Sequence, residues 1–258
     1  MITFKKDKLK VELFNSTLEM AEKAATDVAS KIVELLKENE TINMIFAAAP
    51  SQTEFLKRLI EHDEIKWGRI NAFHMDEYIG LPADAPQRFG NFLEKAIFGS
   101  VPLKNVFYLD GNKPINAECK RYAELLKEYP PHIVCLGIGE NGHIAFNDPH
   151  VAEFNDKKVV KPVTLDNICR KQQVDDKCFN RIEDVPTQAL TLTIPTLLQG
   201  KYMYCIVPYK TKADAIYRTL NEEISEKCPA SILRTQDNTF LYLDNDSSAL
   251  LDFNKNNI

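Results

Sequence analysis

None of the six cysteines in this chain stands in a C-x-x-C pair: Cys119, Cys135, Cys169, Cys178, Cys205 and Cys228 are scattered through 258 residues. That spacing excludes a small disulfide scaffold and a dithiol redox motif, and it reads as the reduced thiols of a cytoplasmic protein. No apolar run approaches the roughly 20 residues that span a bilayer. The first residues lead straight into Lys5, Lys6 and Asp7, so neither an export segment nor a membrane is expected. Basic charge is in deficit, with 32 Lys and Arg against 37 Asp and Glu for a net charge of -5. No broad positive field therefore invites nucleic acid, although a local basic pocket can still hold a small anion. Internal repeats, low-complexity tracts and Gly/Ser-rich linkers are missing too, so residues 1–258 are expected to form a single domain. Chemical motifs are also wanting: no Walker A lysine, no third glycine at dinucleotide-binding spacing, no G-x-S-x-G elbow, no His/Cys/carboxylate set at zinc spacing. We expect no cofactor and no metal.

What is present is an alternation. Hydrophobic residues make up 44% of the chain, enough for a full core without staples. Ser16-Thr17-Leu18-Glu19 has capping-box spacing, and Ala21, Ala24, Ala25, Val28, Ile32, Val33 and Leu36 follow at helical intervals. Short apolar strands are predicted at residues 42–49, 70–75, 106–109, 132–136, 189–192, 202–207 and 240–243. Helices are predicted at 52–60, 117–128 and 212–220. Strands that are apolar throughout, alternating with helices, predict an α/β fold in three layers: a Rossmann-like, mostly parallel sheet with helices on both faces. Ligands of such sheets bind beyond the carboxyl ends of the strands. The polar stretches at 49–53, 74–78, 137–148 and 208–212 fall at those ends, so four distant segments converge on one rim.

The densest stretch is GIGENGHIAFNDP, residues 137–149. A loop before a helix would explain its glycines, but not a histidine that titrates near neutrality with Asp148 five residues on, placed to orient the ring. Asp76 and Glu77 close an earlier strand. As a solvated or capping pair they would be unremarked; beside the histidine loop one of them becomes a general base, and strand alternation allows only one of the two into the site. Ser51, Gln52 and Thr53 open a helix, where hydroxyls and free N–H groups suit an anion as well as they suit plain capping. Lys210 and Lys212 follow another strand, and a cation there suits a phosphate. Arg170 and Arg181 are weaker candidates for the same role. His62, His132 and His150 read as structural or surface residues.

Together these blocks resemble a family. MDEYIGL at 75–81, GIGENGHIAFNDP at 137–149 and ALTLTIPTLL at 189–198 look like the signatures of the glucosamine-6-phosphate deaminase (isomerase) family, in the same order and separation. The resemblance runs from Met44 to Leu251. It implies conversion of an amino-sugar 6-phosphate and water to a ketose 6-phosphate and ammonia. His143 would open the sugar ring, Asp148 would hold its imidazole, and Asp76 would carry a proton between C2 and C1. Asn141 would join this catalytic set, and Gly142 of the same loop, Ser51 to Thr53 and Lys212 would hold the substrate and its phosphate. The sequence departs from the pattern in four places. Ala47-Ala48-Ala49-Pro50 replaces a Gly/Ser/Thr-rich phosphate loop, Asp148 stands for a glutamate, and Asn141 stands where many members have Asp. The phosphate-clamping arginine has no clean counterpart, Arg170 or Lys177 standing nearest. These departures leave galactosamine 6-phosphate open as the substrate. The altered phosphate loop and Asn141 also motivate a rival, a non-catalytic sugar-phosphate sensor; a second rival is a 6-phosphogluconolactonase-like hydrolase, from a related group that shares the fold and a G-H loop. Longer relatives place subunit and allosteric contacts past the last strand, so strong allostery is not expected; a homo-oligomer stays open as a partner state.

Overall fold

The computed structural model describes residues 1–252. Its larger sheet has the strand order β1-β2-β11-β10-β7-β3-β4-β6. The strands are β1 (Ile2–Lys6), β2 (Leu9–Phe14), β3 (Ile42–Phe46), β4 (Ile70–His74), β6 (Asn105–Phe107), β7 (Ile133–Leu136), β10 (Tyr202–Val207) and β11 (Thr239–Asp244). Every neighbouring pair is parallel except β1 with β2. The pleat sends alternate side chains into two cores. Met44, Phe46, Cys135, Tyr204 and Ile206 enter one; Ile45, Val134, Leu136, Met203 and Cys205 enter the other. Burial on both faces is why these strands read as unbroken apolar runs.

Helix α1 (Thr17–Glu38) starts where its cap predicts: Ser16 Oγ accepts from Glu19 N–H at 3.2 Å. The return bond of the box goes one residue further out, with Asn15 N–H donating to Glu19 Oε2 at 3.2 Å. Its buried stripe from Met20 to Leu36 covers one face of the sheet together with α2 (Thr53–Ile60). On the other face, α4 (Ile115–Glu128), α6 (Ile194–Leu197) and α7 (Ala213–Asn221) contribute Tyr122, Leu126, Leu197 and Ile216.

Two expectations need correction. Residues 189–192 do form a strand, β9 (Gln188–Leu192), but it lies in a separate antiparallel sheet of order β5-β9-β8, with β5 (Asp76–Tyr78) and β8 (Val160–Thr164). Its partners are short or interrupted by Pro162, so they carried no clear strand signal. The hairpin β1–β2 was not expected either, because its lysines read as simple terminal charge. Yet β2 buries Leu9, Val11 and Leu13 with a period of two, and the lysines sit on an edge, where charge discourages further pairing.

At the amino ends of β3, β4 and β6 a row of asparagines crosses the sheet. Asn71 Nδ2 donates to Asn43 Oδ1 and Asn105 Nδ2 to Asn71 Oδ1, each at 2.8 Å, while Asn43 Nδ2 reaches the Pro130 carbonyl at 3.0 Å. These residues are also paired in the ladder, Asn43 with Asn71 and Asn71 with Asn105. Asn43 and Asn71 are buried and must be satisfied; they satisfy one another, with the exposed Asn105 closing the row.

Candidate active site

A cleft opens over the carboxyl ends of β4, β3, β7 and β10, which are neighbours in that order. Each strand contributes its exit loop. Ala47, Ala48, Ala49, Ser51 and Gln52 follow β3, Met75 and Asp76 follow β4, and Lys212 follows β10. Gly137, Ile138, Gly139, His143, Ala145 and Phe146 follow β7. From β3 the chain proceeds outward to β4 and β6, whereas from β7 it turns the other way to β10 and β11. The cleft thus lies at the switch point of the sheet, where diverging connections leave a crevice.

His143 is held from behind. Its Nδ1 lies 2.8 Å from Asn141 Oδ1 and 2.9 Å from Asp148 Oδ1. Both neighbours are acceptors, so Nδ1 carries the hydrogen, and Nε2 is left as the ring's acceptor. The ring lies so close to Gly139 that a Cβ there would overlap it. Asp148 is fully buried. Burial works against its ionisation, but the bonds from His143, from Asn141 Nδ2 at 2.9 Å and from Asp166 N–H at 3.2 Å outweigh this and lower its pKa to about 2. Asn141 and Asp148 therefore stand behind the imidazole rather than in the lining.

Strand β5 separates the two adjacent acids. Asp76 lines the cleft, while Glu77 turns away and accepts the N–H groups of Tyr78, Phe89 and Gly90, which anchors the start of α3 (Phe89–Leu93). Burial, then the neighbouring charge of Glu77, pushes the Asp76 carboxyl well above the usual range; a bond from Phe146 N–H offsets this in part. A carboxyl so placed holds and releases a proton far more readily near neutrality than an exposed aspartate.

Lys212 is 3% exposed and its Nζ has no hydrogen-bond partner among the described residues. Burial lowers its pKa, opposed at longer range by Asp176 and Glu140. An unpaired ammonium facing a cleft is costly unless an anion completes it. Beside it, Gln52 Nε2 donates to the Ile206 carbonyl at 3.0 Å, leaving Gln52 Oε1 without a partner.

The expected helix-terminal anion site is smaller than drawn. Pro50–Gln52 is a 3₁₀ turn, in which Gln52 N–H and Thr53 N–H already bond to Ala49 and Pro50 carbonyls. Ser51 and Gln52 line the cleft; Thr53 is exposed and does not. Arg170 does not line it either, because its Nη2 donates to the carbonyls of Ile182 and Val185. Arg181 pairs with Asp184 at the surface, and Lys177 lines an adjoining hollow with Ala48, Ala49 and Pro50. In place of an arginine, α5 (Asn167–Asp175) presents Gln172 and Gln173 to the cleft. Sequence reading missed both, since that helix is polar and has little apolar periodicity.

Gly142 is outside the lining but shapes the loop. Its φ is +87°, and an added Cβ would lie 2.7 Å from Cys228 Sγ. Gly142→Ala is expected to cost about 1–3 kcal/mol in urea unfolding and to lower turnover by moving His143; unchanged stability would refute this account of the loop.

A glucosamine-6-phosphate deaminase of Clostridium acetobutylicum is 32% identical over 248 residues, 94% of this chain and 100% of that protein. One from Streptococcus sanguinis is 32% identical over 225 residues, 85% of this chain and 92% of that protein. Among solved structures, a monomeric glucosamine-6-phosphate deaminase superposes with TM-score 0.84 at 28% identity, covering 93% of this chain and 99% of its own. A 6-phosphogluconolactonase from Thermotoga maritima reaches TM-score 0.75 at 20% identity, covering 92% and 99%, a likeness of fold alone. Residues 15–242 match the family described as glucosamine-6-phosphate isomerases/6-phosphogluconolactonase, and the chain belongs to that family.

Proposed function

We propose that this protein is an amino-sugar-phosphate deaminase/isomerase, which converts a 2-amino-2-deoxyhexose 6-phosphate and water to the ketose 6-phosphate and ammonia. The observation that carries the reading is the arrival of Asp76 and His143 in one cleft from different strands, with the unpaired ammonium of Lys212 in the same lining. The deaminases at 32% identity support it.

The residues divide the work. Nε2 of His143 moves a proton between the ring oxygen and the anomeric hydroxyl, which opens the pyranose. Asp76 takes the proton from C2 and returns it to C1, while a proton passes from the amino nitrogen to O1, turning the 2-amino aldehyde into a 1-hydroxy imine at C2. Water adds to C2 and ammonia leaves. One base serving adjacent carbons must be held near both, and burial of Asp76 keeps it basic enough to take a proton from carbon. Lys212, with Ser51 and the cleft glutamines, receives the phosphate.

The test is ammonia release from glucosamine 6-phosphate and from galactosamine 6-phosphate. Turnover of at least one, falling about 10²–10⁴-fold in His143→Ala, is the expected result. Folded protein that releases ammonia from neither, or that instead hydrolyses a sugar-acid lactone 6-phosphate, overturns the reading.

A further inference from the structure

Asn141 is a carboxamide at the back of His143, and a carboxamide chooses its own orientation unless something fixes it. Here both of its hydrogens are spoken for. Nδ2 donates to Asp148 Oδ1 at 2.9 Å and to Asp166 Oδ2 at 3.0 Å. That turns Oδ1 toward His143, where it accepts from the backbone N–H at 3.0 Å and lies 2.8 Å from Nδ1. Asp166 is tied in twice more. Its own N–H donates to Asp148 Oδ2 at 3.2 Å, and its Oδ1 caps α5 by accepting from Cys169 N–H at 2.6 Å. The amide thus bridges two carboxylates from different loops and passes their preference on to the imidazole.

We propose that Asp166 is a positioning residue for His143: it locks the Asn141 carboxamide with its oxygen toward Nδ1 and so keeps the proton-exchanging nitrogen, Nε2, facing the cleft. The role of His143 itself rests on the deaminase reading. With Asp166 present, every contact around Nδ1 is an acceptor, and a hydrogen on Nδ1 satisfies all of them. Without it, one amide hydrogen loses its acceptor, and the flipped amide, which sets a donor against Nδ1, gains in population. The same network explains why an amide, rather than an acid, fits position 141. A carboxylate there would face Asp148 and Asp166 at hydrogen-bond distance with no hydrogen to share.

The test separates this role from helix capping and from the function assignment. Asp166→Ser retains a good capping side chain but cannot reach across to Asn141 as a carboxylate. Its kcat is expected to fall about tenfold with KM little changed. The ¹⁵N spectrum of the imidazole, which reports which ring nitrogen carries hydrogen, should shift from the Nδ1–H form toward a mixture. Asn141→Asp alone should lose activity, and adding Asp166→Asn to it should restore part of the loss, although Asp166→Asn lowers activity in the parent. Folded Asp166→Ser with parental kcat and a parental imidazole spectrum overturns the proposal, as does an Asp166→Asn effect of one sign in both backgrounds. If the parent turns over neither amino sugar, the deaminase reading fails, and the imidazole spectrum alone still decides whether Asp166 sets the tautomer.

Discussion

Asp76→Asn should lower kcat by about 10²–10⁴-fold, the contribution of one well-placed proton carrier, and the variant should be more stable than the parent at neutral pH. The two effects share a cause. Asp76 is buried against Phe146 and Glu77, so ionising it in the folded protein is unfavourable, and its pKa lies well above 3.8. Between 3.8 and that raised value the folded chain keeps a proton that the unfolded chain has lost. Stability therefore falls as pH rises through this window, and the asparagine variant lacks the fall. Asp148 has the opposite sign: its pKa is lowered to about 2, so it stabilises the fold above 3.8 and that contribution is lost as pH drops from 3.8 to about 2. Urea unfolding of parent and variant across pH reads both windows. A variant with parental kcat, or one whose stability keeps the parental slope above 3.8, would rule out this role.

Lys212→Met is expected to raise KM for the sugar phosphate about 10- to 100-fold, the worth of a charge-assisted hydrogen bond of about 1.5–3 kcal/mol, with a smaller effect on kcat. The substituted chain should again be more stable when free, because the ammonium is buried without a partner and an apolar side chain of similar length removes that penalty. Inorganic phosphate should raise the melting temperature of the parent and leave the variant unmoved. Equal KM values, or an equal response to phosphate, would place the anion elsewhere. In both substitutions a group whose burial is poorly compensated is one that the proposed reaction uses, which is how strained sites persist in otherwise well-satisfied folds.

The sequence showed the parallel sheet plainly because β3, β4, β7 and β10 are buried on both faces and leave unbroken apolar signatures. It marked Asp76, His143 and Lys212, which the fold brings to one cleft, because each follows such a strand, where polar residues have few structural reasons to cluster. It did not show the second sheet, whose strand β5 is three residues long and written in acids. Nor did it show Gln172 and Gln173, because nothing local distinguishes a glutamine facing a cleft from one facing water. Arg170 looked like an anion ligand by charge alone; only the fold reveals that its Nη2 is turned to the carbonyls of Ile182 and Val185, outside the cleft lining. His74 shows the same limit in reverse. It lies two residues before Asp76, yet it is sealed in the interior, where Nδ1 meets the Asp76 carbonyl and Nε2 accepts from Leu109 N–H, and burial lowers its pKa to about 4.

The asparagine row across β3, β4 and β6 lies at the end of the sheet away from the cleft, yet it bears on where Asp76 sits. A strand advances about 3.3 Å per residue, while a displacement of about 1 Å at a reacting group already costs a large part of its rate. Sliding β4 by a single step against β3 would carry Asp76 past any sugar held by the loop after β3. The interlocked amides act as the zero mark from which the strands are measured, so accuracy at the catalytic rim is set at the opposite edge of the molecule.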